Sequence, residues 1–177
     1  WEEVFSLSKN FLNNQYDGHI NDALKFNYIV SVIKLSKNEE IKNISDMIIS
    51  FNYSDECQII FIVQQLFLYG YKKLSLELLF KNANNKNNIK CRSYFLHKHK
   101  DYYSFYKEYD VVEIGCNVVY RSNGDIYQKR IINTKDKIQQ ELINKRKGDI
   151  VKMKRLSQIE QSIEIISICD DYNALIY

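Results

Sequence analysis

The sequence predicts an α+β chain with its helices first and its strands last. Through residues 1–82 apolar side chains recur every three to four positions, as on one face of a helix. Near the end, Ile163, Ile165, Ile166 and Ile168 form a compact β-branched run suited to a buried strand. Between these regions, NANNKNN at Asn82–Asn88 is polar and repetitive, with no large apolar residue to anchor it. The expected organisation is a helical array at 1–82, an Asn-rich linker at 83–89 and an α/β domain at 90–177.

Five helices are expected in the first region. Val4, Phe5, Leu7, Phe11 and Leu12 have helical spacing, with a stop at Asn13-Asn14 and Gly18. A second helix carries Leu24, Tyr28, Ile29, Val32 and Leu35, with Asn21 or Asp22 as its cap. The third places Ile41, Ile44, Met47 and Ile48 on one face. Ser54-Asp55 opens a fourth, bearing Ile59, Ile62, Val63 and Leu66 and ending at Gly70, and Leu74 to Phe80 make the fifth. Sliding the chain by about 33 residues puts Asp22 on Asp55, Ile29-Val30 on Ile62-Val63 and Leu35 on Leu68. This is a helical-repeat period, so the array is expected to be a short α-solenoid of stacked helix pairs.

With 45% apolar residues the chain is well above the range of disordered proteins. It contains no Pro and 5 Gly but abundant Asn, Lys, Ile and Tyr, the signature of an AT-rich coding sequence. It starts at Trp1, as expected of a fragment or a processed product, and no targeting peptide can be read in it. The longest apolar run, Ile59 to Phe67, is broken by Gln64-Gln65, so no membrane span is expected. Cys57, Cys91, Cys116 and Cys169 are scattered without a CxxC pair and are read as reduced thiols.

Charge is unevenly distributed along the chain. Residues 1–89 hold 9 Lys and 10 acids, whereas residues 90–155 hold 16 Lys and Arg against 8 acids. All five arginines, Arg92, Arg121, Arg130, Arg146 and Arg155, fall in the second stretch. Such a concentration is the footprint of phosphate binding, its alternative being a solvated face. From Lys90 to Tyr109 basic and aromatic residues interleave, so Lys98 and Lys100 are expected to follow a nucleic-acid backbone while Tyr102, Tyr103 or Tyr106 stacks a base. The alternative puts these aromatics in the core of an incoming helix. His97-x-His99 has no Cys or carboxylate in ligand spacing, and no metal or other cofactor is expected.

Strands follow. Val111–Tyr120 reads as one or two strands, Ser122-Asn123-Gly124-Asp125 as a tight turn and Ile126–Ile132 as the returning strand. Asn133–Lys147 reads as a polar helix with Ile138, Leu142 and Ile143 inward. Lys154–Gln161, with Leu156 and Ile159 three apart, reads as a short basic helix. Ser162 is the turn into the Ile-rich strand, Asp170-Asp171 end it, and Tyr172, Leu175 and Ile176 cap the sheet edge.

This order of basic helix, buried strand and aromatic-Asn close resembles the C-terminal end of the RAP domain, a small domain of organellar RNA-binding proteins. Lys154-Arg155-Leu156 corresponds to that family's basic helix, Ile165-Ile166-Ser167-Ile168 to its strand and Tyr172-Asn173-Ala174-Leu175 to its close. Ser162, Cys169 and Tyr172 stand where Gly, Pro and Trp are usual. The segment Phe51–Phe80, with its Gly70-Tyr71 step, resembles the helical repeats that precede RAP domains. The resemblance implies a small α/β, restriction-endonuclease-like fold and RNA binding in a mitochondrion or plastid-type organelle. It implies partners among organellar rRNA and the proteins of the ribosome or another organellar complex, in a ribosome-associated, processing or stability role. Lys147-Gly148-Asp149-Ile150-Val151 is in addition similar to a motif of small barrels such as the C-terminal domain of bacterial transcript-cleavage factors.

A metal-dependent nuclease would need paired carboxylates with Asp/Glu-x-Lys, and residues 101–177 contain no such motif, leaving Glu113 almost alone. No Gly-rich phosphate loop or nucleophile elbow occurs. The expectation is therefore a non-catalytic RNA-binding protein, with Arg92, Lys98, Lys100, Arg121, Lys129, Arg130, Arg146, Lys154 and Arg155 on phosphates. The competing expectation is a helical-repeat scaffold that holds a protein partner.

Overall fold

A computed structural model describes residues 1–13, 19–132, 136–154 and 160–177. Within them the chain is α+β, with eight α-helices and a four-stranded antiparallel sheet, six of the helices preceding the first strand. It divides into two compact units, Trp1–Tyr102 and Tyr103–Tyr177.

The first unit contains α1 (Glu2–Asn13), α2 (His19–Lys34), α3 (Asn38–Ser50), α4 (Glu56–Leu68), α5 (Lys72–Ala83) and α6 (Ile89–Lys98). Its core is made by the apolar stripes read from the sequence: Ile29, Val32 and Ile33 of α2, Ile41 and Ile48 of α3, Ile62, Val63 and Leu66 of α4, and Leu76 and Leu79 of α5 are buried. Asp55 caps α4, its carboxylate accepting the Gln58 N–H at 2.9 Å. Helix α2 begins earlier than expected, so Asn21 and Asp22 lie in its first turn and do not cap it. The proposed stop of α1 at Asn14–Gly18 falls outside the described residues.

Two helix ends share one closure. At the end of α2, Ser36 N–H donates to Ile33 O and Lys37 N–H to Val32 O; at the end of α4, Gly70 N–H donates to Phe67 O and Tyr71 N–H to Leu66 O. Both are Schellman closures with one left-handed residue, Ser36 at φ 51° and Gly70 at φ 90°. Each closure ends its helix a few residues before the next begins.

The expected linker at 83–89 does not separate the units. Ala83 is buried at the end of α5, Asn84 N–H bonds back to Phe80 O, and Asn88 immediately precedes α6. Cys91 and Phe95 of α6 are fully buried, so burial carries this helix into the first unit and the Asn-rich stretch is an ordinary helix connection.

The second unit is built on a sheet of order β2-β1-β4-β3, with β1 (Asn117–Ser122), β2 (Asp125–Arg130), β3 (Ile150–Lys154) and β4 (Glu160–Cys169). Asn123 at φ 53° and Gly124 at φ 89° make the two-residue turn that closes the β1–β2 hairpin, as the sequence indicated. The Ile-rich run lies in the central strand β4. Ile163, Ile165 and Ile168 share one core with Val118, Val151 and Leu142, although 165 and 168 are an odd number apart. A bulge reconciles them: Val119 pairs with Ser167 and Tyr120 with Ile165, leaving Ile166 as the extra residue, which packs on the other face with Val119 and Cys169.

Three expectations here are corrected. Residues 111–116 form no strand, only a bridge between Val111 and Arg146, because the Gly115 turn at φ 99° intervenes; Glu113 is thus an exposed loop residue. Of the helix expected over Asn133–Lys147, residues 133–135 lie outside the described residues, and the described part is helical only over α7 (Lys137–Leu142), capped by Asp136 and followed by Asn144 at φ 62°. Lys154 ends β3 and Glu160, Gln161 and Ser162 belong to β4, so both ends of the expected basic helix and the expected turn at Ser162 are strand; the remainder of that helix, 155–159, is outside the described residues. Asp170 caps α8 (Asp171–Ala174), which packs on β1 and β4. Among the described residues no helix is long and apolar enough to cross a membrane.

Candidate nucleic-acid interface

The charge asymmetry of the sequence does not survive folding as a block. The first unit holds 13 Lys and Arg against 11 Asp and Glu, and the second 12 against 11, because the carboxylates of 156–177 return to the basic stretch. Phosphate attraction therefore depends on which cations are left without carboxylates.

In the first unit, α6 turns Cys91 and Phe95 inward and leaves Arg92 exposed. Lys98 pairs with Asp101 at 3.3 Å, and Lys100 is exposed. Tyr102 is a correction. It is 2% exposed, packs edge-on against Phe67 at 5.4 Å and has its phenol oxygen 2.8 Å from Ser75 Oγ, so its ring belongs to the core and cannot stack a base. The interleaved aromatic pattern did not distinguish it from its neighbour Tyr103, because the 3-10 segment His99–Phe105 turns each side chain about 120° from the one before it.

In the second unit, Tyr103 is 57% exposed and meets Tyr106 edge-on at 5.7 Å. Tyr106 stacks on Tyr172 of α8 at 6.4 Å with planes 22° apart. This group is positioned by backbone bonds: Asp170 N–H donates to Lys107 O and Tyr109 N–H to Ile168 O, laying 107–109 along the end of β4. The Lys107 ammonium lies 4.1 Å from the centre of the Tyr109 ring. Tyr172 and Lys107 were not among the expected binding residues.

Three of the expected cations of this unit are paired, as Lys98 is in the first. Arg121 meets Glu164 across β1 and β4 at 3.0 Å, Lys129 meets Asp136 at 2.7 Å, and Arg130 meets Asp171 at 2.8 Å. Lys129, together with the Gln139 and Ile138 N–H groups, holds the Asp136 carboxyl below its ordinary range. The Arg130 partner Asp171 also accepts from Asn117 Nδ2 at 2.7 Å, so this guanidinium belongs to a local network on the sheet. Lys154 lies at the end of β3 opposite Glu160, and Arg155 is outside the described residues.

Arg146 is different. It sits in a tight loop where Asn144 N–H donates to Val112 O, Val112 N–H to Lys145 O and Gly148 N–H to Ile165 O. The carboxylate within the loop, Asp149, accepts the Arg146 backbone N–H at 2.8 Å. Lys145, Arg146 and Lys147 are thereby presented on a fixed turn, Arg146 and Lys147 exposed, with no carboxylate of a described residue within salt-bridge distance of any of the three. Lys145 and Lys147 were missed because this stretch read as helix; Asn144 and Gly148 flanking it were the available turn signals. Among the described residues no three His, Cys, Asp or Glu side chains are grouped to hold a metal ion.

Fold and site together define an α+β chain with a helical unit and a small antiparallel-sheet unit bearing a three-cation turn and an exposed tyrosine group. No protein-family model, curated protein or solved structure matches this chain.

Proposed function

We propose that this chain is a non-catalytic RNA-binding protein in which the Lys145–Arg146–Lys147 turn contacts phosphates and Tyr103 stacks an unpaired base. The observation that carries the reading is the turn itself: three consecutive cations on a backbone fixed from both sides, with the only loop carboxylate engaged by a backbone N–H. A fixed cationic turn loses little conformational entropy on binding. Arg121, Lys129 and Arg130 are secondary in this reading, since a phosphate there has to compete with a carboxylate already in place.

The finer class is proposed with it: a short helical repeat followed by a RAP-like domain, acting on organellar ribosomal RNA in a mitochondrion or plastid-type organelle. The matching closures of α2 and α4 support the repeat. The buried strand β4 running through Asp170 into Tyr172-Asn173-Ala174-Leu175 supports the RAP-like tail. Lys154 at the end of β3, where that family has its basic helix, is a departure from the family's order.

The test is binding of a fluorescently labelled single-stranded organellar rRNA fragment by the full chain across a salt series. Arg146→Glu with Lys147→Glu should weaken binding at least tenfold and flatten the salt slope by about 1.4 to 1.8 units, at roughly 0.7 to 0.9 per lost phosphate contact. Arg121→Glu should change the affinity less than threefold. Salt-independent binding, or equal losses in the two variants, overturns the assignment.

A further inference from the structure

Two cavities of about 470 and 420 Å³ lie in the helical unit, and Phe51, Asn52 and Ser54 line both, so the two make a grooved surface on either side of one segment. Their volumes fall in the range of ligand sites. The segment they share is fixed after α3: Phe51 packs edge-on against Tyr53 at 4.8 Å, and the Tyr53 hydroxyl donates to Ile48 O at 2.8 Å.

The lining has two chemical features. First, carboxamides recur along it: Asn27, Asn52 and Gln58 in one cavity, Asn82, Asn85 and Asn88 toward the other end. Asn82 and Asn88 bond to each other and Gln58 Oε1 accepts Ser54 N–H, whereas a carboxamide without such bonds offers a donor and an acceptor, the complement of a peptide unit. Those of Asn27 and Asn52 make no hydrogen bond to a described residue, and both side chains are exposed. Second, the groove is acidic. Asp22, Asp55 and Glu56 line it against one cation, Lys81, whose ammonium donates to Ile49 O at 2.7 Å. Phe26 and Phe51 add an apolar wall at the Asp22 end.

We propose that this groove binds an extended segment of a partner protein carrying Lys or Arg, with an apolar side chain against Phe26 and Phe51. Carboxamides would read its backbone, and the carboxylates its charge. The same carboxylates oppose the phosphates of a nucleic acid, which makes this site independent of the RNA reading. It gives the helical unit a function of its own.

The test begins with a phage-displayed random nonapeptide library panned on the full chain, followed by fluorescence anisotropy of selected, labelled peptides. Enriched sequences should carry Lys or Arg with an apolar residue. Asn52→Ala should weaken the selected peptides at least fivefold, and Asp22→Lys at least tenfold, the latter with a smaller salt dependence. Circular dichroism should show both variants folded; Asp22→Asn, which removes the charge while keeping the shape, should fall between wild type and Asp22→Lys and serves if the reversal unfolds. Absence of enrichment, enrichment of acidic peptides, or affinities unchanged in folded variants overturns the proposal. So does displacement of the selected peptide by the single-stranded RNA fragment together with loss of RNA binding in Asn52→Ala, which would make the groove a nucleic-acid site.

Discussion

Tyr102 and Ser75 share a buried hydrogen bond of 2.8 Å, and its direction follows from a second bond. The Ser75 hydroxyl donates to Val63 O at 2.8 Å, so the Tyr102 phenol is the donor to Ser75 Oγ. Tyr102 therefore joins the 3-10 segment to α4 and α5 inside the helical unit. Tyr102→Phe should cost about 0.5–1.5 kcal/mol, the net value of one hydrogen bond, because Ser75 retains its acceptor. Tyr102→Ala should cost about 3–5 kcal/mol through the cavity it leaves. Urea denaturation measures both. RNA affinity should be unchanged in Tyr102→Phe, whereas Tyr103→Ala should lose about 1–3 kcal/mol of binding, the value of one stacked base.

Burial also makes the fold sensitive to alkali. It pushes the Tyr102 phenol up to about 12, the Cys91 thiol up to about 12 with Glu56 adding to the shift, and the Cys169 thiol up to about 11. Each folded value lies above the unfolded one, near 10 for Tyr and 9 for Cys, so the unfolded chain releases these protons first. Their stabilisation is complete below about pH 9 and is lost as pH rises toward 12. Chemical denaturation at pH 8, 10 and 11 should show a steady fall in stability. Cys169→Ala and Cys91→Ala should each make that fall shallower, and an unchanged slope would show the thiols to be already exposed.

The paired closures at Ser36 and Gly70 supply a comparison within one chain. A left-handed conformation is strained for any residue with a Cβ, and at Gly70 an added Cβ would meet nothing within 4 Å, so strain alone decides the outcome. Gly70→Ala should destabilise by about 1 kcal/mol. Ser36→Gly should stabilise, by about 0.5 kcal/mol after the entropy gained by the unfolded chain is subtracted. Thermal denaturation of the two variants should shift in opposite directions.

The helical half was the more legible because the apolar period marks the buried faces of α2 to α5, and at α4 cap and stop agreed with it: Asp55 and Gly70 frame the helix where the apolar stripe begins and ends. Ser36 was not legible, since Ser gives no signal of a left-handed residue. In the second unit the Asn123-Gly124 turn could be read from two residues, whereas the strand at Ile150–Lys154 could not. Its strand state rests on pairing with residues 160–164 of β4, a partner reached only through folding. The binding residues were misread for the same reason. A list of cations omits the carboxylates that come to face them, and Arg121, Lys129 and Arg130 acquire theirs from positions 43, 7 and 41 residues away.

Asp170 governs the tyrosine group without touching it. One carboxylate oxygen accepts Asn173 N–H at 2.8 Å and caps α8; the other accepts Lys107 N–H at 2.7 Å, and the Asp170 backbone N–H donates to Lys107 O at 3.0 Å. The residue thus clamps 107 against the start of the helix that carries Tyr172, which holds Tyr106 and Tyr172 stacked. Asp170→Ala removes both side-chain acceptors and should cost about 1–2 kcal/mol, the value of a lost helix cap. Amide exchange at Lys107 and Asn173 should accelerate, while that at Tyr127, in the β1–β2 hairpin, should not. Asp170→Asn retains one acceptor oxygen and should lose less. If RNA stacks at Tyr103, its affinity should fall in Asp170→Ala and recover in Asp170→Asn, because the tyrosines keep their positions only while the clamp is closed. Equal exchange in the two variants would show that the backbone bonds between 107 and 170 hold the segment unaided.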